Sequence, residues 1–204
     1  NFKINSSFKN FTSLFNSKYF KKNDNLFYLN QLNGVLDSRI EIILDNFEVL
    51  DIKAFGKIEN LIKKDKSNFV SKLNIKSIQQ LDFNFRNNKS KTTIDGMAKI
   101  FDSNLNFKYI NNNKNNLLNI NFILNNKIRK ILNCNNIVSG DSEYNIKIYK
   151  NNNIWSYNTE INFLKSKINI PSIKYEKFYD KFSNLSIYGN FSGNFLLEKI
   201  KFKY

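Results

Sequence analysis

Apolar residues occupy every second position over long stretches of this chain. Leu118, Ile120, Phe122 and Leu124 alternate with Asn119 and Asn121, and Tyr144, Ile146 and Ile148 alternate with Asn145 and Lys147. Trp155, Tyr157, Ile161 and Phe163 alternate with Ser156, Asn158, Glu160 and Asn162. A period of two gives a strand one apolar and one polar face. Several such strands in series, joined by tight polar turns, make an antiparallel meander. The rhythm also runs through RIEIIL (39–44), FEVLDIKAFGKIE (47–59), FVSKLNIKSI (69–78), QLDFNFR (80–86), TTIDGMAKIF (92–101) and SNLNFKYI (103–110). Strands resume at NLSIYGNFSG and NFLLEKIKFKY after SIKYEKFYDKFSN, which reads as a loop or a short helix.

Residues 1–34 are the least strand-like and read as a helical or irregular cap. Phe8, Phe11, Leu14 and Phe15 fall at helical spacing behind a cap at Ser6 or Ser7, and Asn33-Gly34 predicts a two-residue hairpin. The connector Lys127–Cys134 predicts one helical turn with Ile128, Ile131 and Leu132 on one side. Turns are written in Asn, at 87–88, 111–113, 125–126 and 151–153, a residue that tolerates positive φ and bonds its own backbone. Gly56 and Gly96 inside strands predict a bulge, a bend or a close backbone approach. Pro171, the sole proline, ends the strand SKINIP. The fold class expected is mostly β: a long antiparallel meander curled into a trough with an apolar concave face and one or two short helices. Residues 39–204 are expected to form one continuous sheet.

Composition changes the picture in three ways. The net charge of +15 suggests an anionic partner, yet about a fifth of the residues are Asn and only Arg39, Arg86 and Arg129 are arginines. That is the bias of an AT-rich genome, and it leaves few guanidinium forks for phosphate or bases, so a nucleic-acid partner is not favoured. Chemistry is also thin. There is no His, Cys134 is the single cysteine, and the six glycines form no phosphate-cradling loop. Asp141 and Glu143 share a strand face, which reads as a solvated strand start rather than a metal site. The reading is a non-enzyme with no cofactor and no metal. Finally, the chain begins at Asn1 and stops inside the alternating run EKIKFKY, so it reads as a single β-rich fragment of a longer protein. No apolar run approaches the roughly 18–20 residues that span a bilayer.

The order GMAKIFDSNLNFKYINN, LNINFILNNKIRKIL, IVSGDSEYNIKIYK, INFLKSKINIPSIKYEK and LSIYGNF resembles the AsmA-like proteins of the bacterial envelope, specifically the central domain of the YhdP type. Ile170, Pro171, Tyr175 and Lys177 fall on the family's motif positions, Gly140 lies in the third piece, and Asn162-Phe163 stands where the family carries an acidic-Leu pair. The resemblance implies a trough that moves phospholipids between inner and outer membrane. It also implies a periplasmic segment of a Gram-negative, inner-membrane-anchored protein, whose membrane contact lies in segments outside this fragment. Phospholipid acyl chains are then the expected partner. Phe83, Phe85, Phe107, Ile120, Phe122, Ile146, Trp155, Ile161 and Phe163 are the expected lining. Two alternatives compete: a closed β-sandwich or barrel whose apolar face is simply its core, and a lysine-rich RNA-associated protein such as an organellar ribosomal component.

Overall fold

The computed structural model describes residues 2–7, 32–45, 48–63, 78–88, 90–101, 103–112, 115–132, 136–151, 154–192 and 194–204. Among the described residues the protein is mostly β, with antiparallel strands in sheets that do not close into a barrel, and one short α-helix. The chain divides into two compact units, Asn1–Asp102 and Ser103–Tyr204.

Unit 1 contains β1 (Phe2–Ser7), β2 (Leu32–Asp45), β3 (Glu48–Lys63), β4 (Ile78–Asn88) and β5 (Lys91–Ile100), paired in chain order. Antiparallel partners share a face, so the register sorts the side chains. Leu36, Ile58, Leu81 and Ala98 form one row, and Ile40, Ala54, Phe85 and Ile94 another. The row between them runs Ser38, Gly56, Phe83, Gly96. Pairing continues without a slip through both glycines. A Cβ on Gly56 would strike the backbone of Asp37 and Ser38, and one on Gly96 the carbonyl of Asp82. Close backbone approach is therefore the reason for both residues. The opposite face is charged: Arg86 meets the carboxylate of Asp51 through two nitrogens, at 3.1 and 3.3 Å.

Unit 2 contains β6 (Ser103–Asn112), β7 (Asn116–Leu124), α1 (Asn126–Ile131), β8 (Val138–Gly140), β9 (Ser142–Asn151) and β10 (Ile154–Asn162). It continues with β11 (Ser166–Ile170), a 3₁₀ turn (Pro171–Ile173), β12 (Tyr175–Lys177), β13 (Asn184–Ser192) and β14 (Asn194–Lys203). Its main sheet runs β6-β7-β9-β10-β13-β14, and a second, three-stranded sheet runs β12-β11-β8.

Three expectations need correction. Asn33-Gly34 does not turn; both residues lie within β2, where the register with β3 slips between Asn33 and Val35. Phe2–Ser7 is a strand and not part of a helical or irregular cap. Residues 39–204 do not form one continuous sheet, because β10 ends in a tight turn, with Ser166 N donating to Phe163 O at 2.9 Å, that carries β11 into the second sheet. The helix expected over Phe8–Phe15, most of the strand at 69–78, and Cys134 lie outside the described residues.

Candidate functional site

The register of unit 2 assembles an apolar face row by row. Leu105, Phe122, Tyr144, Ile161, Leu185 and Phe202 lie side by side across six strands. The next row is Phe107, Ile120, Ile146, Thr159, Ile187 and Ile200, and the third is Tyr109, Leu118, Ile148, Tyr157, Gly189 and Leu197. Trp155 stands one row further, beside Lys150 and Phe191. At the usual strand spacing these rows are about 24 Å wide. The reverse face is more polar: Asn106, Asn121, Asn145, Glu160, Ser186 and Lys201 form one of its rows, while Ile110, Leu117 and Tyr149 lie together in another. Aromatic contacts order the apolar side, with Phe122 stacked on Tyr144 at 4.9 Å and Tyr157 tilted against Phe191 at 5.3 Å.

The second sheet covers one end of this face. Ile161 and Phe163, each 6% exposed, pack with Ile168 of β11, and Val138, Tyr144, Ile170, Tyr175, Leu185 and Ile187 close around them. Ile161 and Phe163 are thus sealed by their own chain and do not line open space, contrary to expectation. The physical reason is the turn after β10, which returns an apolar strand over them. Phe107, Ile120, Phe122, Ile146 and Trp155 are half-buried on the same face, while Leu197, Ile200 and Phe202 of β14 are exposed. Phe83 and Phe85 belong to unit 1, where Phe83 packs against the buried cluster of Leu36, Ile58 and Leu61.

Two buried cations hold the small sheet in place. Lys177 Nζ donates to the carbonyls of Phe163 and Ser166, each at 2.6 Å, and of Phe178 at 3.1 Å. Three acceptors match the three N–H bonds of an ammonium group. Burial lowers the Lys177 pKa from the ordinary lysine value, and the charge of Asp180 partly opposes that shift. Arg129 of α1 donates to the carbonyls of Leu124 and Gly140 at 3.3 and 3.4 Å and to Ser142 Oγ. Ser142 Oγ lies 2.8 Å from Ser166 Oγ, which donates onward to Asp141 O at 2.6 Å. Of the motif positions, Lys177, Tyr175 and Ile170 meet in this module. Gly140 pairs with Ser166 at a φ of +86°, and a Cβ there would collide with Tyr179. Pro171 opens the 3₁₀ turn, where its missing N–H costs nothing. Sequence reasoning missed Arg129, Ser142 and Ser166; the available signal was an arginine retained beside Ile128 in a chain that otherwise uses lysine.

A groove of about 550 Å³ is lined by Asn106, Asn121, Asn145, Glu143 and Glu160 together with Phe122, Ile123 and Tyr144, so its walls mix polar and apolar groups. Among the described residues no group of three or more His, Cys, Asp or Glu side chains is placed to hold a metal ion, and no helix is long and apolar enough to cross a membrane. Comparison with protein-family models, with curated proteins and with solved structures returns no match for this chain.

Proposed function

We propose that the apolar face of the unit 2 sheet carries phospholipid acyl chains, without catalysis, as a segment of an inner-membrane-anchored periplasmic protein of the AsmA-like, YhdP type that moves lipid between the two membranes. The observation that carries this reading is the set of apolar register rows crossing six strands, whose side chains beyond the small sheet stay half-exposed. Each methylene kept from water stabilises a bound tail by about 0.8 kcal/mol, so a chain of about sixteen carbons gains roughly 12 kcal/mol on a continuous apolar surface. Solvation along a track is then the whole mechanism, and no side chain has to react.

The sealing of Ile161 and Phe163 favours a second reading, in which the small sheet is the first layer of a closed core. Photo-crosslinking separates the two. Benzoylphenylalanine placed at Ile146 is expected to capture phospholipid in cells, and the same probe at Lys147, one residue along on the reverse face, is not. Absence of lipid adducts at Ile146, together with no phospholipid in the mass spectrum of detergent-free protein, would overturn acyl carriage.

A further inference from the structure

We infer that the outer loops of the small sheet form a docking surface for an anionic lipid bilayer. The turn after β10 and the loop after β12 lie side by side, since Asp180 N donates to Leu164 O at 2.9 Å. Together they present Leu164, Phe178, Tyr179 and Phe182 at exposures of 39, 58, 48 and 60%. These side chains do not belong to a fraying tail. Phe178 O accepts from buried Lys177, the Tyr179 hydroxyl lies 3.4 Å from Ser139 Oγ, and Lys167 Nζ sits 5.2 Å over the Phe178 ring. The loop is tied down by these contacts, yet its large aromatic groups face water, at a standing cost that a bilayer interface would relieve.

Charge selects the occupant. Lys165 and Lys181 flank the aromatic cluster and are exposed, and Lys167 is half-exposed. The carboxylates nearby are Glu176, paired with Lys167 at 2.7 Å, Asp180, whose charge acts on buried Lys177, and exposed Asp141, whose backbone N donates to Lys165 O at 3.0 Å. Exposed lysines beside an apolar centre match acidic headgroups over hydrocarbon. The net charge of +15 also opposes docking of a second copy of the chain. Docking does not depend on acyl carriage by the sheet, because a bilayer surface is bound from outside.

The test is cosedimentation of the detergent-free chain with vesicles of phosphatidylcholine alone and of phosphatidylcholine mixed with phosphatidylglycerol. Binding is expected to the mixed vesicles and to be much weaker to the neutral ones. Paired substitution Phe178→Ser and Phe182→Ser should weaken it by about tenfold or more. Lys165→Glu with Lys181→Glu should cost at least about fivefold per lysine. All four positions are exposed, so the far-ultraviolet strand signal should stay that of the native chain. The inference is overturned by native protein that ignores the mixed vesicles, by variants that bind them as the native chain does, or by a patch that captures a single-stranded RNA oligonucleotide or a second copy instead. Lipid mass spectrometry on the same variants keeps the two readings apart: acyl lipid retained while vesicle binding is lost places the patch outside the track.

Discussion

At the scale of single residues, the three arginines explain what a chain rich in lysine keeps guanidinium for. Arg86 clamps Asp51, Arg39 meets Glu41 at 3.3 Å and lies 5.8 Å from the Phe55 ring, and Arg129 is buried against carbonyls and a serine. Each fork is engaged within the protein, which leaves phosphate contacts to lysines, where they are point charges without planar readout. Lys177 carries the sharpest prediction. Lys177→Met leaves the carbonyls of Phe163 and Ser166 without their donor, and should cost about 2–4 kcal/mol in urea unfolding. The pH dependence has a definite sign. Burial holds the folded-state pKa below that of an unfolded lysine. Between those two values the unfolded chain binds more protons, so this group's contribution to stability rises with pH. The difference in urea midpoint between the native chain and Lys177→Met should therefore widen from neutral pH toward about pH 10. A gap that narrows would show that the ammonium is favoured, not penalised, by its site.

At the scale of elements, asparagine does the work that glycine and proline do elsewhere. Asn88 Oδ1 accepts from the backbone of Ser90 and Lys91 at the β4–β5 turn, and Asn112 Oδ1 from Asn115 N between β6 and β7. Asn125 Oδ1 accepts from Ile128 N and caps α1, and Asn126 Oδ1 holds Gly140 N at 2.7 Å. Asn125→Ala should cost about 1 kcal/mol, read as a lowered midpoint of thermal unfolding. If Asn125→Ala leaves the midpoint unchanged, the six-residue helix is held by Arg129 and Ile128 alone. Most of this was legible: alternation marked β4 to β7, β9, β10, β13 and β14, the connector predicted α1, and Asn clusters marked the turns. Asn33-Gly34 misled because dipeptide turn chemistry is local, whereas the long pairing of β2 with β3 absorbs the same glycine as a slip in register. The second sheet was illegible for a related reason. SKINI alternates whether it extends a large sheet or folds back over one, and only the tight turn at Phe163–Ser166 decides.

At the scale of the molecule, each unit has its own buried cluster: Leu36, Ile58 and Leu61 in one, Ile161, Phe163 and Ile168 in the other. Period-two patterning assigns the apolar residues to one face but carries no information on what covers that face, so by pattern alone Ile161 and Phe163 are indistinguishable from side chains in open space. On the proposed reading, replacing Ile120 and Ile146 with asparagine lowers the phospholipid that copurifies with the chain, as read by lipid mass spectrometry, while secondary structure is retained. Unchanged lipid content would overturn acyl binding on this face. The last strand of the described sheet has its own consequence. β14 ends the strand order of unit 2, with Lys199, Lys201 and Lys203 on one side and Leu197, Ile200 and Phe202 on the other. Two such edges meeting in register would set like charges opposite one another, so Coulomb repulsion opposes edge-to-edge pairing of this chain. That protection has a range of about 10 Å in 0.1 M salt and about 3 Å at 1 M. Concentrated brine should therefore turn a clear solution turbid, and light scattering that stays flat across that interval would mean the lysines are not what holds the particles apart.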